Sequence, residues 1–278
     1  MIYSGLGSAL LKYIRGESWT TVSSARLKYF DASGNDITSS LIGQSYVTIP
    51  SASMGTASNK CIANTSAISL GTFQTDYVGL LEYRYFSSLD EPWFGSKVMV
   101  DIANGTVANV YPGNLTLCLN GPETYMANLL LNYVFKGTIP ASLTSVHMQL
   151  LDGSNLPVSD VVQANVANFS AIYQNEFNLG EMSYTAPLTF TLSTQCTISK
   201  LRIATSLAQT SPIIMNYPMV PMDFAANSSY TIEAGKLLVP VLSESLSYFG
   251  AYVYDWLSVP SFLWLNMSDD IWRELNAS

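Results

Sequence analysis

Leu115-Thr-Leu117-Cys-Leu119-Asn-Gly121-Pro122-Glu-Thr-Tyr-Met-Ala-Asn-Leu129-Leu130-Leu131 joins two different patterns. Leu115, Leu117 and Leu119 alternate with Thr116 and Cys118, which is the period of a half-buried strand. Gly-Pro then breaks the chain, and a helical spacing begins at the leucines. Outward from this stretch the same order of patterns runs on both sides, so it reads as the seam between two copies of one unit.

A shift of roughly 120 residues brings the two sides into register, as an internal repeat requires. Leu10, Leu11, Tyr13 and Ile14 fall over Leu130, Leu131, Tyr133 and Val134, with Gly16 and Gly137 soon after. Leu27, Tyr29 and Asp31 fall over Met148, Leu150 and Asp152, and both acidic residues lead into Ser, Gly and Asn. Ile68, Leu70, Val78, Leu81 and Tyr83 match Leu188, Phe190, Ile198, Leu201 and Ile203. The closing stretches match best, with Gly113, Leu115, Leu117 and Leu119 over Gly235, Leu237, Val239 and Val241.

The expected architecture is mainly β, as two tandem β-sandwich domains of jelly-roll-like form, each preceded by a short helix. Copy one is residues 1–121, copy two is residues 122–243, and an aromatic extension follows over 244–278. The spacing predicts helices over 6–15 and 126–136, with Gly16 able to end the first in a left-handed cap. Period-two alternation predicts strands near 25–30, 46–49, 67–70, 77–86, 97–102 and 114–119, and again near 143–151, 187–193, 196–204, 213–220 and 236–242. The stretch 38–65, apart from the strand at 46–49, and the stretch 152–180 read as loop.

Only 12% of the 278 residues are charged while 48% are apolar, and 17 Tyr and 5 Trp are present. A polar but weakly charged, Tyr-rich surface points to faces that end against neighbours. The net charge is −8, and the 12 Lys and Arg read as scattered. Direct nucleic-acid binding needs clustered cations and is not expected. Cys61, Cys118 and Cys196 read as small core residues, implying neither a disulfide framework nor a zinc site. The first residues lack a basic leader and a long apolar run, so a signal peptide is not expected and the chain is expected to fold in the cytoplasm where it is made.

Catalytic chemistry is not expected either. His147, the single histidine, falls on the polar side of a strand and reads as solvent-facing. No nucleophile elbow, phosphate loop or dinucleotide fingerprint occurs, and Asp90-Glu91 and Asp269-Asp270 read as solvated turn and cap charges. Asp31, Ser33, Asn35 and Asp36 have calcium-like spacing, but the same residues are those a tight turn demands. No metal or other cofactor is expected.

The extension after Ser243 matches nothing in copy one. Tyr248, Phe249, Tyr252, Tyr254, Trp256, Phe262, Trp264 and Trp272 crowd into it. Asp255 and Pro260 interrupt the run, which makes it a poor membrane span. Each large aromatic gains about 2 to 3 kcal/mol on burial, so several must be covered. The extension therefore reads as a docking arm, with Tyr248, Phe249, Tyr252, Trp256, Phe262, Trp264 and Trp272 as its assembly interface.

The order of a Leu-rich helix, a strand ending in Asp, a middle strand pair and a closing Gly-x-Leu-x-Leu strand resembles small β-sandwich proteins of tailed bacteriophages, the tail-fibre and minor virion proteins. The residues that carry it are Leu10, Leu11, Gly16, Leu27, Tyr29, Asp31, Val78, Leu81, Tyr83, Gly113, Leu115 and Leu117 with their copy-two counterparts. The resemblance implies a structural virion component in the tail, baseplate or fibre-attachment region. Its partners would be copies of itself and other virion proteins. A glycan-binding adhesin or receptor-binding module, with host surface glycan as partner, is the first alternative; a capsid decoration protein is the second.

Overall fold

Leu6, Leu10, Leu11 and Ile14 share one helical face, and all four are buried along α1 (Ser4–Ile14). The computed structural model describes residues 3–119, 123–173, 178–206, 212–242 and 251–255. The protein is mainly β: among the described residues 49% are in strands and 15% in helices, with several antiparallel sheets.

After α1 come β1 (Ala25–Phe30), α2 (Thr38–Ile42), β2 (Val47–Ile49), β3 (Cys61–Ala63), β4 (Ile68–Thr72), β5 (Tyr77–Phe86), β6 (Pro92–Ile102), β7 (Val107–Val110) and β8 (Leu115–Leu119). The second half runs α3 (Thr124–Lys136), β9 (Ser145–Leu151), β10 (Pro157–Asn165), β11 (Asn178–Tyr184), β12 (Leu188–Leu192), β13 (Cys196–Ala204), β14 (Ile213–Phe224), β15 (Ser228–Ile232) and β16 (Leu237–Leu242). A last strand, β17, is Ala251–Asp255.

Strand pairing repeats with the order. The first half holds a sheet β2-β1-β5-β6 and the pairs β4-β7 and β3-β8; the second holds β10-β9-β13-β14, β12-β15 and β11-β16. In each, a central hairpin is enclosed by a second strand pair and then a third, the nesting of one long hairpin folded over. Alternation explains which faces meet. Ala25, Leu27 and Tyr29 on β1 and Leu81, Tyr83 and Tyr85 on β5 point into the core, as do Val146, Met148 and Leu150 on β9 with Leu201 and Ile203 on β13.

The helices stitch the halves together. α1 packs on β6 of its own half and β11 of the other, α3 packs on β14 of its own half and β3 of the other, and the two helices touch. Asn128 and Asn132 of α3 accept backbone N–H bonds from Lys60 and Ala57, both at 2.9 Å. On α1, Gly7 and Leu11 lie against Gly180 of β11. Gly16 approaches the Leu143 carbonyl, and Gly137 approaches the Val22 carbonyl. The helix-on-strand and glycine-on-carbonyl approaches thus come in reciprocal pairs, the property of a two-fold (isologous) interface. Trp19 reinforces the seam edge-on to Tyr133, with ring centroids 4.3 Å apart, and the Tyr133 hydroxyl donates to the Thr20 carbonyl at 2.7 Å. Burial pushes that hydroxyl's pKa up to about 12. The buried side chains of both halves form one continuous cluster.

Several expectations are corrected. Cys61 and Cys118 are joined in a disulfide, so they are not free core residues. They stand directly opposite on β3 and β8. The flanking backbone bonds run Leu119 to Lys60 and Asn64 to Leu115. The cysteines therefore occupy the non-hydrogen-bonded pair between these rungs, where side chains lie closest. Residues 152–180 include β10 and part of β11, and α2 lies in what read as loop, burying Leu41 and Ile42 before Gly43 ends it in the left-handed conformation.

His147 is not solvent-facing: it is 8% exposed, and its Nδ1 has no hydrogen-bond partner among the described residues. Gln163 of β10 and Ala204 of β13 stand beside it in the sheet. Burial pushes its pKa down. A group depressed in the folded state binds its proton more readily when unfolded, so the stability it contributes is present above the unfolded value and is lost as pH falls. The urea midpoint should drop between about pH 7.5 and pH 5.5, around the free histidine value of about 6.5, and His147→Gln should flatten that slope. Equal slopes in the two proteins would refute it.

Candidate functional site

Folding gathers cations that look scattered along the chain. Arg26 stands opposite Phe86, Lys28 opposite Arg84 and Glu82 opposite Lys97, so these side chains share the outer face of the sheet β2-β1-β5-β6. Four of the twelve cations, Arg26, Lys28, Arg84 and Lys97, meet here. Aromatic rings lie between the charges. The Arg84 guanidinium is 3.9 Å from the centroid of Phe30, Arg26 is 4.3 Å from Tyr46, and the Lys28 ammonium is 5.1 Å from Phe86. Such contacts contribute about 0.5 to 1 kcal/mol each at exposed positions.

Glu82 sits at the centre, with its side chain 4% exposed. It accepts from Arg84 at 2.6 Å and from the Tyr3 hydroxyl, and Lys97 approaches to 3.7 Å. Burial favours its neutral form, but the bonds from Arg84 and Tyr3 outweigh that and hold the carboxyl below its usual range. Burial together with Glu82 pushes the Tyr3 hydroxyl upward. Tyr3 fits because Gly95 has no side chain: a Cβ there would lie 2.9 Å from the Tyr3 ring. Asp90 and Asp36 balance Arg26 at 2.9 Å and Lys28 at 3.7 Å.

A general acid needs a raised pKa near the working pH, and Glu82 is driven the other way. Its rim offers cations and ring faces. Glu82→Gln should lower the unfolding free energy by about 1 to 3 kcal/mol, because Arg84 would keep its burial and lose its charged acceptor. Denaturation of the variant at neutral pH measures this, and an unchanged midpoint would refute it.

The turn with calcium-like spacing is a turn. Asp31 accepts from the backbone N–H of Ser33 and Asn35 and from the Asn35 side chain, each at 2.9 Å. These bonds hold its carboxyl below the ordinary value. Asp152 makes the same closure with Ser154 and Leu156 at 2.8 and 2.9 Å. Among the described residues no three His, Cys, Asp or Glu side chains are grouped to hold a metal ion.

A cleft of about 500 Å³ opens beside α3, lined by Tyr13, Tyr125, Asn128, Asn132, Pro140 and Leu143. The Tyr13 and Tyr125 hydroxyls meet across it at 2.8 Å. The Asn128 and Asn132 oxygens already accept from copy one, so these asparagines serve the seam.

Of the expected docking arm, residues 251–255 are described, and they form β17 on the outer side of β8. Tyr252 stands opposite Cys118 and Tyr254 opposite Thr116. Tyr248, Phe249, Trp256, Phe262, Trp264 and Trp272 lie outside the described residues. Among the described residues no helix is long and apolar enough to cross a membrane. No protein-family model matches the chain, and no curated protein matches it.

Proposed function

We propose that the chain is a structural component of a virus particle, placed in the tail, baseplate or fibre-attachment region and acting through protein-protein assembly without a catalytic step. Its two domains, residues 1–121 and 122–243, are read as jelly-roll-like sandwiches, and residues 244–278 as the arm that docks on other chains. The observation that carries the proposal is the duplicated, nested strand order locked by a reciprocal seam. A block of this kind holds neighbours at fixed spacing, and its weakly charged surface suits close packing against them. Mass spectrometry of purified particles from the source should find the protein as a stoichiometric component. Its absence from particles would overturn the proposal.

A second reading, a glycan-binding adhesin, is favoured by the outer face of the first sheet, where Arg26, Lys28 and Arg84 lie beside Tyr46, Phe86 and Phe30. Sugars stack on such rings and bond to such cations. Glycan-array binding that Arg26→Ala abolishes would favour this reading over the first.

A further inference from the structure

The two copies differ at their sheet edges. Residues of an antiparallel strand alternately turn their N–H and C=O groups toward one neighbour and away from it. On β8, Leu119 donates to the Lys60 carbonyl and the Leu115 carbonyl accepts from Asn64. Leu115, Leu117 and Leu119 therefore serve β3, and the N–H groups of Thr116 and Cys118 face the opposite side. There β17 runs antiparallel, with Tyr254 opposite Thr116 and Tyr252 opposite Cys118.

Copy two closes the same edge. Glu181 on β11 exchanges both backbone bonds with Tyr173 on its far side, so Pro240, opposite Glu181 on β16, turns its backbone nitrogen away from β11. Position 240 corresponds to Cys118 in the repeat, and proline has no N–H to offer an added strand. The outer strand β14 likewise carries Pro218 and Pro221, whereas its counterpart β6 has no proline after Pro92. Prolines on outer strands guard against strand addition. Copy two is guarded in this way, whereas the outer edge of β8 keeps its N–H groups and receives β17.

We infer that the outer edge of β8 is the strand-acceptor site of this protein, and that its ligand in the assembly is the 251–255 segment of a second copy. The segment matches the edge in register over its whole length. A neighbour's segment can make the same pairing, so exchange between chains links copies without any new kind of contact. Donors reaching copy two meet Pro240, which gives the linkage a direction. The inference deepens the assembly reading, but its test needs no particles, so either can fail alone.

Two full-length variants separate donor from acceptor. Thr116→Pro removes an N–H from the acceptor edge and leaves its own segment free, while Tyr254→Pro spoils the segment and leaves the edge free. Mixed together, they should form a one-to-one complex by native mass spectrometry that neither forms alone. Circular dichroism establishes that each is folded. Should Thr116→Pro fail to fold, a labelled peptide spanning residues 250–256 replaces it. The peptide should bind the Tyr254→Pro protein once, and adding Pro240→Val should raise the stoichiometry to two. No complex between folded variants, no binding of the peptide, or a stoichiometry that Pro240→Val leaves at one would overturn the inference.

Discussion

Replacing Cys61 and Cys118 together by alanine is expected to lower the unfolding free energy by about 3 to 4 kcal/mol. The two cysteines are 57 residues apart in sequence, so the crosslink removes a long loop's freedom from the unfolded chain. The position of the bond adds to this. β3 meets β8 through only three residue pairs, whereas β11, its counterpart, makes six with β16. The disulfide compensates for a strand too short to hold its own register. β3 also follows the turn at Asn59 and Lys60, both at positive φ. That turn carries the Lys60 N–H to Asn128, so loosening β3 loosens the seam. Urea unfolding with and without reductant should separate the midpoints of the native protein and leave those of the double variant coincident. Cys196→Ala should change neither. A native protein whose midpoint is indifferent to reductant would contradict the expectation.

The repeat was legible in the sequence because two kinds of residue report on it directly. Gly16 and Gly137 mark left-handed helix ends, and the alternation at Leu115, Leu117 and Leu119 returns at Leu237, Val239 and Val241. β5, Tyr77–Phe86, was legible because Leu81, Tyr83 and Tyr85 alternate with Glu82 and Arg84 before a turn rich in Ser. β10 was not, because Pro157–Asn165 is half-exposed on both faces and shows no clean period. β7 and β15 are short, and their exposed faces carry few apolar residues. The disulfide left no signal in spacing, for it depends on which strands pair. His147 was misplaced for a related reason: β9 sits between β10 and β13, with β10 unseen, and a polar residue on a central strand can be buried on either face. The charged face around Glu82 became visible only with the register of β1, β5 and β6, which brings residues from three distant segments together.

Gly137→Ala is expected to lower the unfolding free energy by about 3 kcal/mol, and Gly16→Ala by at least as much. Both glycines have positive φ, +67° and +66°, and an L side chain in that conformation costs about 1 to 2 kcal/mol by itself. The remainder comes from the other half of the chain. A Cβ at Gly137 would fall 2.4 Å from the Val22 carbonyl oxygen, and one at Gly16 would fall 2.0 Å from that of Leu143. No side-chain rotation relieves a contact between a Cβ and a backbone carbonyl, so the seam itself must open. Gly113 supplies the comparison, since it too has positive φ, +82°, but no atom lies within 4 Å of a Cβ built there. Gly113→Ala should therefore show the conformational cost alone. Because the two halves share one buried cluster, the native protein should unfold in a single transition. The Gly16 and Gly137 variants should broaden that transition or split it in two, as halves no longer held together unfold separately. Equal costs at positions 16, 113 and 137, measured by urea denaturation, would mean that the close approach of the two copies contributes nothing.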